Sequence, residues 1–385
     1  MALGGGPGTT RRRGASSRRF DPDDPSQSFY LRPTGLIGGR AAARACAAGV
    51  AAPLAGGPVA FAACELLWRH GGDVAATLHD LRGLRAWARR RGAAAVAAVD
   101  ERLARLTAPR PDFAGLSLDR PLIMGVINVT PDSFSDGGDF ADPGAAVEAG
   151  RRLVAEGADI LDIGGESTRP GATPVGVEEE LARVLPVVRV LAGSGAVVSI
   201  DSRHPAVMAA AVAAGARIIN DVSALTGAPD SLATAARSGA AVVLMHMRGD
   251  PLTMQADPRY ADVALDIYDY LAARVTACRA VGIVPERVAV DPGIGFGKTH
   301  DHNIDVMAGL TLYHGLGCPL LLGVSRKGFI AKLSRGEPAK ERLAGSLAAG
   351  LAGLDQGVHI LRVHDVAATA QARAVWQAVA AGGRG

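Results

Sequence analysis

The chain has 385 residues, 48% of them hydrophobic but only 4% aromatic, so its core must be filled by aliphatic side chains. A formal net charge of +3 argues against a global nucleic-acid or membrane-surface role and leaves room only for a local basic site. Cys46, Cys64, Cys278 and Cys318 are scattered with no CxxC pair, which argues against a zinc site or disulfide framework and for reduced thiols in a cytosol. No apolar run reaches membrane-spanning length, and the richest stretch (40s to 60s) is broken by Gly, Pro and Arg.

Residues 1–30 are rich in Gly, Arg, Ser and Asp and read as a disordered leader. No apolar segment follows the charges, so a signal peptide is not expected, although the Arg- and Ser-rich start is compatible with a transit peptide. Residues 31–112 are Ala- and Arg-rich and read as a helical extension of unknown role, with the helical pattern clearest between Leu78 and Leu106. Thr107 to Phe113 then reads as a linker.

From residue 113 to the end the pattern becomes regular. Eight short aliphatic runs, "PLIMGVIN", "DILDIG", "AVVSID", "RIIND", "AVVLMHM", "RVAVDPG", "PLLLGVSR" and "HILRVHD", alternate with longer helical stretches. Near-continuous apolar runs suit parallel strands buried on both faces. Asp142-Pro143 predicts a helix start and Gly157 its stop; Pro205 and Gly215 bracket a shorter helix. Val263, Ile267, Leu271, Val275 and Cys278 form one apolar helical face. Pro186 inside "RVLPVVRVL" predicts a kink or a late helix start. Eight strand–helix units over this length predict an α/β fold, a (β/α)8 TIM barrel, with a doubly wound open sheet as the competing arrangement.

In such a barrel the chemistry sits at the C-terminal ends of the strands. There the runs deliver Asn128, Asp162, Asp201, Asn220, His246 with Met247, Asp291, Ser325-Arg326-Lys327, and Arg362 with His364. One such residue is explained by a helix cap, as for Asp221, Ser202 or Asp365. Eight converging strand ends are not, because unpaired buried polar groups cost several kcal/mol. Arg169, Arg326, Lys327, Arg362 and His364, with Lys298 nearby, suit a phosphate-bearing ligand. Asp162, Asp201, Asp291 and Asn220 suit a flat heterocycle with neighbouring amino and N–H donors. "DPGIGFGKTH" raises a rival reading, because Gly297-Lys298-Thr299 resembles the close of a phosphate loop; Pro292 stands where that motif needs a Gly.

"MGVINVTPDSFSDGG" (124–138), "DIGGESTRPGA" (162–172), "DPGIGFGK", "GVSRKGFI" and "LRVHDV" together resemble the motifs of the dihydropteroate synthase family, in the family's order, over roughly residues 118–380. The resemblance implies a (β/α)8 barrel that joins p-aminobenzoate to 6-hydroxymethyl-7,8-dihydropterin diphosphate, forming 7,8-dihydropteroate and pyrophosphate. It implies that Asp201, Asn220, Asp291 and Lys327 hold the pterin, with Arg362 stacked on its ring and Met247 packing beside it. Asn128, Arg169, Arg362 and His364 would meet the diphosphate, with Mg2+ bound through Asn128. Thr168, Arg169, Pro170, Phe296, Ser325 and Lys327 would receive p-aminobenzoate, where sulfonamides compete. Asp201, Lys327 and Arg362 are the implied catalytic residues, and Asp162 would organise the first-strand loop. A cytoplasmic homodimer acting on small molecules, without nucleic-acid or membrane partners, is expected. Ser202 departs from the family's Thr, and the leader carries no kinase-like unit, so a bifunctional form is not expected. A corrinoid-linked pterin methyltransferase and a pterin-binding paralogue without synthase activity are the remaining alternatives.

Overall fold

The computed structural model describes residues 29–70, 73–130, 143–166, 175–249 and 253–381. Eight parallel strands, β5 (Leu122–Asn128), β6 (Ile160–Gly164), β7 (Val198–Asp201), β8 (Ile218–Asp221), β9 (Ala241–Met245), β10 (Val288–Asp291), β11 (Leu321–Leu322) and β12 (Ile360–Val363), pair in the order β10-β9-β8-β7-β6-β5-β12-β11. A parallel bridge between Val290 and Leu320, with the Val290 N–H donating to the Pro319 carbonyl at 2.9 Å, joins the two ends of this order. The sheet is therefore a closed (β/α)8 barrel, not an open doubly wound sheet.

The continuous apolar runs resolve into two alternating sets. Ile123, Ile127, Leu161, Ile163, Ile200, Ile219 and Val242 belong to the cluster that meets the surrounding helices. Leu122, Met124, Ile160, Val197, Ile218, Val243, Ala289, Leu321 and Ile360 form a separate interior cluster around the fully buried Phe113. Phe113 is held by a short turn in which it and Leu116 exchange backbone N–H···O bonds at 2.9 Å. Two positions further along, the interior set turns polar in five of the strands, at Asp162, Ser199, Asn220, Asp291 and Arg362.

The helices follow their sequence signals. Pro143 starts the helix Pro143–Ala155, and Gly157 follows it at φ +103°. Pro205–Ala213 is followed by Gly215 at φ +112°. Val263–Ala280 buries Val263, Ile267, Leu271, Val275 and Cys278, the predicted face. Pro186 does not delay its helix: Val177–Gly193 begins nine residues earlier and continues through it.

The extension departs from its expected helical character. Beside helices α1 (Gly39–Ala47), α2 (Leu81–Arg89) and α3 (Ala93–Thr107) it contains an antiparallel sheet in which β3 (Ala60–His70) is central. On one side lies β1 (Phe29–Ile37); on the other lie β2 (Ala52–Pro53) and β4 (Asp73–Asp80). Its own core gathers Leu54, Phe61, Leu66, Leu84, Trp87, Val99 and Leu106. Ala and Arg favour helix by propensity, but burial of Phe61, Cys64, Leu66 and Trp68 between sheet neighbours and helices outweighs about 0.5 kcal/mol per residue. The expected leader lies outside the described residues up to 28, while Phe29 and Tyr30 already belong to β1.

The extension docks on the helix 263–280 and the 3-10 segment Leu310–Leu316. Tyr30 Oη donates to Asp269 Oδ1 at 2.8 Å, Arg69 Nη2 to Asp266 Oδ1 at 2.7 Å, and Thr311 Oγ1 to the Pro33 carbonyl at 2.9 Å. The segment expected to be a linker is a packed joint: buried Arg110 donates to the His314 and Cys318 carbonyls at 3.0 and 3.2 Å.

Candidate active site

The polar ends of the interior strand positions meet at one mouth. A cleft of about 480 Å³ is lined by Asp201, Asn220, Asp291, Ser325, Lys327, Arg362 and His364, with Val222, Met245, Ile294, Phe296 and Gly323 as its apolar wall. Strand pleating explains the grouping. Asp162 follows Ile160 by two, Asp201 follows Val197 by four, and Asn220, Asp291 and Arg362 follow Ile218, Ala289 and Ile360 by two.

Arg362 ties the floor of the cleft together. Its Nε donates to Asp162 Oδ2 at 2.6 Å and its Nη2 to Asp201 Oδ2 at 2.7 Å, while Asn220 Nδ2 also donates to Asp162 Oδ2 at 3.0 Å. The second oxygen of Asp162, Oδ1, is buried without a hydrogen-bond partner. Burial pushes the Asp201 carboxyl up to about 7; Arg362 pulls it down, and Asp162 adds to the rise. Burial also raises Asp291, against the Gly293 N–H (2.7 Å to Oδ1) and the charges of Lys327, Lys298 and Arg362. Burial alone would lower Arg362, and Asp162 and Asp201 more than offset it.

The opposite wall comes from β11 and β12. Ser325 Oγ accepts from the His364 N–H at 3.2 Å and lies 3.0 Å from His364 Nδ1. Lys327 Nζ stands 4.2 Å from the centre of the Phe296 ring, a cation–π contact. Arg326, between these two lining residues, turns away. It sits at φ +60°, and its guanidinium binds Asp365 through both Nε and Nη2. It therefore does not join the cations of the cleft, and Asp365 serves that pair rather than capping a helix.

Other expected residues fall as follows. Asn128 ends β5 beside Gly164 of β6, partly exposed and apart from the cleft lining. Thr168, Arg169 and Pro170 lie outside the described residues. On the flanks of their segment, Glu166 accepts from the Val175 N–H at 3.2 Å and from Arg203 Nε and Nη2 at 3.0 and 2.8 Å. Met247 does not line the cleft as expected: Met245 does, pairing in register with Asp291, and the strand ends before Met247. Alternation from Ala241 and Val243 is the signal that identifies Met245. Asp221 accepts from the Ser223 and Leu225 N–H groups at 2.7 and 2.9 Å and so closes a turn; it caps no helix, since the next one starts at Ser231. Lys298 is buried within its own loop, and Thr299 caps the helix His300–Ala308, so Gly297-Lys298-Thr299 does not form a phosphate loop.

Fold and site together define a barrel enzyme with a charged cleft at the C-terminal ends of its strands. Residues 124–364 match the family described as pterin binding enzyme. The chain is 50% identical over 271 residues to a dihydropteroate synthase of Neisseria meningitidis serogroup B, covering 69% of this chain and 94% of that one. It is similar to the solved structure of Xanthomonas albilineans dihydropteroate synthase with 4-aminobenzoic acid, at 50% identity and TM-score 0.65, covering 69% and 96% of the two chains. The same enzyme in complex with 7,8-dihydropteroate matches at 48% identity and TM-score 0.63, covering 69% and 95%. The chain belongs to the pterin-binding enzyme family, among its dihydropteroate synthases. The extension precedes the matched residues.

Proposed function

We propose that the cleft joins p-aminobenzoate to 6-hydroxymethyl-7,8-dihydropterin diphosphate, giving 7,8-dihydropteroate and pyrophosphate. The observation that carries this reading is the Arg362 guanidinium held between Asp162 and Asp201 beside Asn220, in a chain so similar to dihydropteroate synthases. Asp201, Asn220 and Asp291 would take the amino and N–H edge of the pterin. Met245 and the Arg362 plane would pack against its ring. Phe296, Ser325 and Lys327, with Thr168, Arg169 and Pro170, would receive p-aminobenzoate.

In the reaction the methylene C–O bond breaks, and its electron pair leaves with the diphosphate oxygen. Lys327, Arg362 and His364 face that growing negative charge, in the manner of a preorganised anion clamp. The positive charge left on the pterin methylene is stabilised by the Asp201 carboxylate. The aniline nitrogen then forms the new C–N bond and releases its proton to water; its weak basicity leaves it unprotonated at neutral pH, so no strong base is required. Asp162 acts through Arg362, fixing Nε.

Among the described residues no group of three His, Cys, Asp or Glu side chains stands together as a metal site. The amide oxygen of Asn128, at the end of β5, would be the protein ligand of a Mg2+ carried largely by substrate diphosphate oxygens and water. When bound, the ion would neutralise charge on the leaving group. A cytoplasmic homodimer is the expected working form. Incubating the protein with Mg2+, the pterin diphosphate and labelled p-aminobenzoate should yield labelled dihydropteroate and pyrophosphate; tight pterin binding without product would leave a non-catalytic pterin-binding protein.

A further inference from the structure

Lys298, the residue that made this loop resemble a phosphate cradle, has no part in the reaction just described, yet its surroundings are unusual for a lysine. It is 2% exposed. Its Nζ donates to the carbonyl oxygens of Gly293 at 2.8 Å, Phe296 at 3.1 Å and His246 at 3.4 Å, and lies 3.0 Å from His246 Nδ1. Among the described residues no carboxylate pairs with it directly; burial pulls it down to about 7, and the charge of Asp291 and the three carbonyl acceptors oppose that by favouring the ammonium.

The backbone is wound to make this possible. Gly293, Gly295 and Gly297 all lie in the left-handed region, at φ +67°, +85° and +60°. A Cβ on Gly293 would stand 2.0 Å from the His246 carbonyl oxygen, and one on Gly297 2.3 Å from that of Arg248. Only glycine permits both the dihedrals and the close approach. Two other loop carbonyls are covered by neutral donors: Gly295 by Gln255 Nε2 and Gly297 by Tyr260 Oη, each at 2.6 Å. The carbonyls of Gly293, Phe296 and His246 converge on the ammonium, that of Gly293 also accepting from the Phe296 N–H at 3.1 Å. His246, packed by the rings of Tyr260 and Tyr270 and facing Arg248, is held uncharged by burial and by Lys298, so its Nδ1 can accept. This is the arrangement of a loop that binds a monovalent cation, with the cation tethered to the chain.

We propose that the Lys298 ammonium is the ion on which the Asp291–Lys298 loop is wound, and that it is a positioning residue holding Phe296 against the p-aminobenzoate part of the cleft. The positioning role rests on the proposed function; the tethered cation does not. Lys298→Ala removes the ammonium and leaves space for a small amine, whereas Lys298→Met removes the charge and keeps the volume. With both substrates and Mg2+, each variant should raise KM for p-aminobenzoate about tenfold or more, the scale of a lost charged hydrogen bond, with kcat changed far less. Ethylammonium should return the KM and melting temperature of Lys298→Ala toward wild type. Tetramethylammonium at equal ionic strength, which has no N–H donor, should not, and neither salt should help Lys298→Met. A Lys298→Met enzyme with wild-type KM, or an ethylammonium effect no larger than that of tetramethylammonium, overturns the proposal. If Lys298→Ala does not fold in plain buffer, recovery of folded protein in ethylammonium supports it, and no recovery overturns it. If wild-type protein gives no turnover, the synthase reading fails, while the melting-temperature arm still decides the tethered cation.

Discussion

The two ends of the barrel are built from the same strands and differ by two residues of chain. At one end Ile160, Ile218, Ala289 and Ile360 close around Phe113 in an apolar plug. At the other, their neighbours two positions on are Asp162, Asn220, Asp291 and Arg362. The first end loses water and gains packing, so it stabilises the fold. The second buries charges that favour burial only because each has a partner within hydrogen-bond distance. One strand thus serves stability and chemistry at separate positions, and a substitution should report which end it touches.

The largest effect is expected where the charged end loses its hub. Arg362→Ala leaves Asp162 and Asp201 buried without their guanidinium, which costs about 3–5 kcal/mol of stability. Turnover should fall by at least about a thousandfold, seen in kcat/KM and in the urea midpoint together. Phe113→Ala attacks the apolar end and should cost about 3–5 kcal/mol in urea unfolding while kcat of the remaining folded protein stays near wild type. A matching loss of kcat would break the division between the two ends.

Asp201→Asn should keep the fold and lower kcat by about a hundredfold. It also has a pH signature. The folded carboxyl, raised to about 7, holds its proton where the unfolded one has lost it. Ionising this group therefore weakens the fold as pH climbs from about 4 to 7, and the Asn variant should lack that decline in a urea series. Turnover, which needs the carboxylate, should fall as pH drops below about 7 in wild type, and this acid limb should vanish in the variant. Smallest of all, Met245→Ala should raise the pterin KM a few-fold, about 1 kcal/mol of lost packing, while Met247→Ala stays within about twofold. The reverse order would place the cleft wall one turn of pleat further along.

Most of the barrel was legible because its strands are short, aliphatic and end in polar residues, a pattern with few alternative folds. Asp201, Asn220, Asp291, Ser325, Lys327, Arg362 and His364 share a cleft because alternation and strand ends place them there. Arg326 was not legible: only the left-handed backbone at that residue shows that its side chain leaves the cleft for Asp365. Lys298 was misleading, since three carbonyls brought together by loop winding leave no trace in residue type. The sheet of the extension is not legible because Ala-rich segments favour helix locally, while β3 is decided by neighbours on both sides. The Gly71-Gly72 pair between β3 and β4 was the available hairpin signal.

The docking of the extension on the helix 263–280 has a consequence for how the chain can be divided. Tyr30, Leu67, Ala264, Leu265 and Leu312 form one buried cluster drawn from both sides of the joint. Covalent continuity gives that contact an effective local concentration on the order of millimolar. A protease cut between Ala108 and Pro111 would turn the joint into an encounter between two molecules. Dilution would then bare Leu265 and Leu312 on the barrel and Tyr30 and Leu67 on the extension, so each fragment should be stickier than the uncut chain.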